Sequence, residues 1–94
     1  MINVKEKELK KFLKDFKNKD ITIEFNDGLE GKIKIKNASI IYDEKKGYIN
    51  IIGKENNQKL KINTTIIYRY MTTEKYESLE IRIDSQVALR IIKC

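Results

Sequence analysis

The first regular feature of the chain is a run of apolar residues spaced three and four positions apart. This spacing predicts an amphipathic helix over residues 4–17. Asn3 suits the N-cap position, and Glu6 stands three positions later, as in a capping box. Asn18 suits the left-handed conformation that ends many helices. The apolar stripe of this helix consists of Leu9, Phe12, Leu13 and Phe16.

From residue 21 onward the pattern changes to an alternation of apolar and polar residues, which is typical of β-strands with one buried face. Ile21, Ile23 and Phe25 form the apolar half of this alternation. Asn, Asp and Gly at positions 26–28 provide the positive φ angles that a tight hairpin turn requires. Because the alternation then resumes, residues 21–35 predict a β-hairpin.

The second strand of this hairpin continues to Tyr42, but its apolar positions change parity between Ile35 and Ile40. A β-bulge in a strongly bent strand produces such a change. The turn-forming residues 43–47 and 56–58 separate the strands that follow. Those strands are predicted at residues 48–52, 60–62 and 66–71, and in a final hairpin over residues 78–93 with a turn at 84–86.

These elements define an α+β fold that is mainly β. We expect the N-terminal helix to be followed by a strongly bent antiparallel sheet, or by a small barrel, of about five to seven strands over residues 21–92. The 94 residues suffice for one modest core, so residues 1–94 are interpreted as a single domain.

Several kinds of chemistry have no residues to support them. The chain contains no histidine and one cysteine, Cys94, which excludes histidine catalysis and leaves no ligand set for zinc. No glycine-rich phosphate loop is present. We therefore expect a binding protein without a cofactor rather than an enzyme. With no signal peptide and no apolar membrane span, we expect a cytoplasmic protein that does not bind membranes.

The net charge of +6 and the pI near 9.4 favour a nucleic-acid ligand. The competing explanation is coding bias, because a composition dominated by lysine, isoleucine and asparagine is what an AT-rich gene encodes. The basic residues are almost all lysines, and arginine, which is favoured for bidentate phosphate and base contacts, occurs only as Arg69, Arg82 and Arg90.

Two stretches resemble the motifs of the Sm-like fold, the small barrel of the Sm, LSm and Hfq proteins. Residues 21–28, followed by Gly31 and Ile33, are similar to the first half of the first motif, and residues 60–67 are similar to the second. The resemblance covers residues 4–71. It departs from the family in the short spacing between Gly28 and Gly31, and the hairpin at 78–93 lies beyond the family's usual end.

The resemblance implies a homo-oligomeric ring that assembles through edge strands and binds RNA or nucleotides. Lysines would contact phosphates, asparagines would contact base edges and an aromatic ring would stack on a base. Each position also has a purely structural interpretation, as a turn former, a core-edge tyrosine or the solvent face of a strand. The nucleic-acid-binding residues implied are Lys34, Lys36, Asn37, Tyr42, Lys61 and Asn63.

The alternative function is a small protein–protein interaction module, such as an inhibitor or adaptor from a mobile element. Tyrosine is enriched at interface hot spots, and Tyr68 and Tyr70 would share one face of a strand with Ile66. Tyr76 lies close by in the sequence. Residues 91–92 would form an apolar edge strand that pairs with another subunit.

Overall fold

A computed structural model describes residues 2–26, 30–55, 57–75, 77–83 and 86–93. Within these residues it contains one α-helix, two short 3-10 helices and eight β-strands. In chain order the elements are β1 (Ile2–Val4), α1 (Glu6–Leu13), a 3-10 helix (Lys14–Phe16), β2 (Lys19–Asn26), β3 (Glu30–Asp43), β4 (Tyr48–Gly53), β5 (Lys59–Asn63), a second 3-10 helix (Thr64–Ile66), β6 (Arg69–Thr72), β7 (Ser78–Ile83) and β8 (Gln86–Lys93).

The N-terminal helix is shorter than the sequence predicts. Val4 belongs to β1, where it pairs with Tyr70 and is buried. Lys5 is the N-cap and makes no side-chain capping bond, so the predicted capping box at Asn3 is wrong. Strand pairing and the burial of Val4 outweigh one cap, which contributes only about 1 kcal/mol. The predicted left-handed end is confirmed, since Asn18 has φ of 61°.

All eight strands belong to one sheet in the order β1-β6-β7-β8-β2-β3-β4-β5, and every neighbouring pair is antiparallel. The predicted α+β, mainly β class is confirmed. Of the two predicted forms, the structure has the bent sheet, which is not closed into a barrel. Seven strands follow the helix, within the predicted range, and the short β1, which precedes the helix, is an eighth strand that the sequence did not predict.

The C-terminal hairpin is an integral part of this sheet. β8 pairs with β7 on one side and with β2 on the other. The prediction that residues 91–92 form a free edge strand is therefore wrong. Among the described strands, the two edges of the sheet are β1 and β5.

The predicted bulge lies in the middle of β3. Two steps along β2, from Lys19 to Ile21, face three steps along β3, from Ala38 to Ile35. Asn37 absorbs the additional residue in the left-handed conformation, with φ of 49°. The bulge restores Ala38 to the same face as Ile35, and both are buried.

A single apolar cluster fills the concave side of the sheet. Leu9, Leu13 and Phe16 contribute the stripe of the helix, and all three are almost fully buried. They pack with alternate residues of the strands, and burying each such side chain stabilises the fold by about 1.5–3 kcal/mol. The main strand residues of the core are Ile21, Ile23, Ile35, Ile40, Ile49, Ile51, Leu79, Ile81 and Ile91.

Several predicted features lie at positions outside the described residues. They include the turn residues at 27–28 and 84–85, Asn56, Tyr76 and Cys94. Asn57, the second residue of the predicted turn at 56–58, is described and has φ of 53°, as a turn former should.

Gly53 provides a test of the packing at the bend. It pairs with Ala38, and a Cβ added to it would stand 2.9 Å from Cγ2 of the buried Ile35. We expect Gly53→Ala to lower the free energy of unfolding by about 1–3 kcal/mol, because the core must shift. Gly31→Ala is the matched control, since its Cβ would approach no atom of the described residues closer than 4.0 Å. Urea denaturation followed by circular dichroism measures both, and equal stabilities for the two variants would contradict the tight packing at Gly53.

Candidate functional site

The residues predicted to bind nucleic acid do not gather at one place. Lys34 and Lys36 lie on the exposed face of the first half of β3, whereas Lys61 lies on β5. Lys61 pairs with Asn50 of β4, and Asn50 pairs with Ile41 of β3. Ile41 lies seven residues after Lys34 in that strand. At about 3.3 Å per residue, this separates the two lysines by roughly 20 Å along the strand alone. The two lysines therefore lie on opposite sides of the bulge rather than side by side.

The two predicted asparagines have structural roles that the contacts account for. The backbone N–H of Asn37 donates to Oδ1 of Asp20 at 3.0 Å, in the bulge. Oδ1 of Asn63 accepts hydrogen bonds from the backbone N–H and the Oγ1 hydroxyl of Thr65, at 3.0 and 2.7 Å, and caps the second 3-10 helix. These contacts support the interpretation of both residues as turn formers.

Tyr42 is buried, with 7% of its surface exposed, so its ring is not available to stack on a base. Its hydroxyl donates to Oε1 of Glu6 at 2.8 Å and thereby links β3 to α1. Burial, followed by the hydrogen bond to Glu6 and the charges of Glu6 and Glu44, raises the pKa of Tyr42 to about 12. The position holds a structural hydrogen bond rather than the predicted stacking contact.

The bulge brings together lysines that the sequence keeps apart. The N–H of Asn18 donates to the carbonyl of Ala38 at 2.8 Å, and the N–H of Lys54 donates to the carbonyl of Asn37 at 3.4 Å. The Lys54 ammonium also donates to Oδ1 of Asn18. Around these contacts stand four exposed lysines, which we term the bulge cluster: Lys17, Lys19, Lys36 and Lys54.

The bulge cluster is positively charged and open to solvent. Two carboxylates adjoin it in the sequence, Asp20 and Glu55, and Asp20 already accepts the hydrogen bond from Asn37. Among the predicted binding residues, only Lys36 belongs to this cluster, and Asn37 lies next to it. The signal that could have located the rest is the set of asparagines at 18, 37 and 57, each of which has a positive φ angle.

Two of the three arginines, Arg82 and Arg90, form ion pairs with carboxylates. Glu80 is 7% exposed and accepts hydrogen bonds from Arg82 at 3.2 Å and from Arg90 at 3.0 Å. Arg90 also lies 4.0 Å from a carboxylate oxygen of Glu24. The salt bridges among the described residues involve arginines and no lysine, so the lysines carry most of the exposed positive charge there, while these arginines stabilise the face of the sheet opposite the core.

The predicted strand face shared by Ile66, Tyr68 and Tyr70 is not formed, because β6 begins only at Arg69. Tyr68 precedes β6 and is 63% exposed, whereas Tyr70 lies within β6 and is 6% exposed. Arg69 places its guanidinium 5.1 Å from the centre of the Tyr68 ring. Burial, with smaller contributions from Tyr42 and Glu6, raises the pKa of Tyr70 far above its ordinary value. Of these two tyrosines, Tyr68 alone is exposed to a partner.

The described residues contain no group of three or more carboxylate or cysteine side chains placed to hold a metal ion. Nor does any helix in the described ranges have the length and apolar character to cross a membrane. Comparisons with protein-family models, with curated proteins and with solved structures give no match to this chain. The function must therefore be argued from the geometry of its surfaces.

The Tyr42–Glu6 hydrogen bond predicts a dependence of stability on alkaline pH. An unfolded tyrosine has a pKa of about 10, whereas that of Tyr42 is raised to about 12. The stabilisation is therefore present in full below pH 10 and is lost as the pH rises through about 12. We expect Tyr42→Phe to lower the free energy of unfolding at neutral pH by about 1 kcal/mol and to reduce its fall at alkaline pH.

Urea denaturation at about pH 9 and about pH 12 measures this difference. Tyr68→Phe is the control, because the Tyr68 hydroxyl belongs to an exposed side chain and carries no such bond between elements. The interpretation fails if Tyr42→Phe retains the full alkaline loss of stability seen in the unmodified protein.

Proposed function

We propose that this protein binds single-stranded RNA through the bulge cluster, without reading its sequence. The observation that supports the proposal is the convergence of Lys17, Lys19, Lys36 and Lys54 around the bulge of β3. Lysine ammonium groups are mobile point charges that attract phosphates without fixing their orientation. Release of counterions from the strand then supplies most of the affinity.

The side chains next to these lysines fit the same function. Asn37 is partly exposed, and its amide can contact a base or sugar edge beside the charged groups. The ring of Tyr42 cannot stack on a base here, because it is buried in the core. Binding should therefore be weak and strongly dependent on salt, as is usual for contacts that are mainly electrostatic.

Assembly into a homo-oligomer remains a prediction. The strands available for it are β5 and β1, each of which pairs with only one neighbour within the chain. β5 contains Lys59 and Lys61 on its exposed face, and edge lysines oppose uncontrolled strand pairing. A closed oligomer would repeat the bulge cluster around its symmetry axis and raise the affinity for a long strand.

One observation favours the alternative function, a protein–protein interaction module. Ile66 and Tyr68, in the connection between β5 and β6, are 56% and 63% exposed. Exposed large side chains of this kind occur at interfaces that bind other proteins. This function requires Ile66 and Tyr68 and is independent of the bulge cluster, so charge changes at the lysines distinguish the two.

RNA binding is tested with a matched pair of triple variants. The first variant combines Lys17→Gln, Lys36→Gln and Lys54→Gln. The second combines Lys7→Gln, Lys10→Gln and Lys14→Gln, which removes the same charge from exposed positions of α1 and the turn after it. Fluorescence anisotropy with a labelled single-stranded RNA of about 16 nucleotides measures the affinity at several salt concentrations.

We expect the bulge variant to lose most of its affinity and its salt slope to fall by about two, because each lost phosphate contact on a single strand contributes about 0.7. The helix variant should retain the greater part of both. Equal losses in the two variants would show that net charge, rather than the bulge cluster, attracts the strand. No binding by the unmodified protein at low salt would refute the proposal.

A further inference from the structure

A pocket of about 330 Å³ lies at the end of α1 opposite the bulge cluster. Its wall is formed by β1 and the first residues of α1 on one side, and by the connection from β5 to β6 on the other. The volume falls within the lower part of the range for small-molecule sites, roughly 300–1,000 Å³. The residues that line it include Lys5, Glu6, Tyr68, Arg69 and Tyr70.

Tyr70 contributes an unpaired polar atom to this region. Its hydroxyl is buried and has no hydrogen-bond partner among the described residues. Oε1 of the nearby Glu6 accepts the hydrogen bond from the Tyr42 hydroxyl, and no described residue bonds to the hydroxyl of Tyr70. An unpaired buried donor costs free energy that a bound acceptor would recover. The hydroxyl therefore favours a ligand that offers an oxygen or ring nitrogen.

The charges around the pocket favour an anion. Lys5 and Arg69 are both exposed and both line it. Glu6 is the one carboxylate among the lining residues, and the hydrogen bond from Tyr42 already occupies one of its oxygens. A guanidinium and an ammonium are the two side-chain cations that bind phosphate groups, and both belong to residues that line this pocket.

The aromatic side chain at the rim favours a planar group beside that anion. Tyr68 is 63% exposed, and Arg69 covers part of its ring at 5.1 Å. A tyrosine ring and a guanidinium plane are both surfaces on which nucleobases stack. An anionic group, a planar ring and a hydrogen-bond acceptor occur together in a nucleotide.

We propose that this pocket binds a nucleoside monophosphate, either as a free nucleotide or as the phosphorylated end of a strand. Arg69 and Lys5 hold the phosphate, Tyr68 stacks on the base, and the Tyr70 hydroxyl donates to the base or sugar. The site is separate from the bulge cluster and does not depend on it.

The primary test is isothermal titration of the intact chain with AMP, UMP and inorganic phosphate. We expect both nucleotides to bind more tightly than inorganic phosphate. Tyr70→Phe should weaken nucleotide binding by about threefold to tenfold, as the loss of one hydrogen bond does. Its thermal stability should stay equal or rise, because the substitution removes an unpaired buried hydroxyl.

Arg69→Ala should also weaken binding, and Lys32→Ala is its charge-matched control, located on β3, four strands away from β6 in the sheet. No heat of binding with either nucleotide, or equal affinity for inorganic phosphate and AMP, would overturn the proposal. If Tyr70→Phe retains the full affinity, the hydroxyl does not contact the nucleotide, and the proposal in this form is overturned.

Two further measurements separate the sources of the nucleotide and the two proposed sites. If an RNA with a 5′-phosphate binds more tightly than the same RNA with a 5′-hydroxyl, the pocket binds strand ends. If the two RNAs bind equally while AMP still binds, the pocket binds free nucleotides.

The triple variant of the bulge cluster should bind AMP with unchanged affinity. A parallel loss of AMP binding in that variant would overturn the independence of the pocket.

Discussion

The bulge at Asn37 is the constraint on which the rest of the structure depends. β3 pairs with β2 through its first half and with β4 through its second half, and both halves must turn their apolar residues toward one core. A regular strand with this sequence would expose the apolar residues of one half. The additional residue at Asn37 changes the parity, bends the strand and allows the sheet to enclose the helix.

The same bulge determines where the charged groups lie. Its hydrogen bonds hold Asn18 and Lys54 against β3 and thereby collect lysines from the end of the 3-10 helix, from β2, from β3 and from the end of β4. Elsewhere on the surface, opposite charges face each other across neighbouring strands. Lys32, Glu24, Arg90 and Glu80 are successive neighbours on β3, β2, β8 and β7. Charge is therefore balanced along this row of strands, whereas positive charge is in excess at the bend.

Local patterns predicted the elements well but predicted the site poorly. Alternation identified the strands, and the parity change between Ile35 and Ile40 identified the bulge, because both depend on residues that are close in the sequence. The bulge cluster, the burial of Tyr42 and the pairing of Val4 with Tyr70 depend on contacts between distant positions. Similarly, the predicted grouping of Lys34 with Lys61 failed because spacing along the chain does not specify which strands become neighbours.

The short connection between β5 and β6 explains why a pocket exists at all. Asn63 and Arg69 are six residue steps apart, which an extended chain spans in at most about 22 Å. β5 and β6 are six positions apart in the sheet, which in a flat sheet would separate them by about 29 Å. The sheet must therefore curl until its outer strands approach each other. Because β1 and β5 do not pair, the remaining gap is bordered by β1, the start of α1 and this connection, and these elements form the walls of the tyrosine-lined pocket.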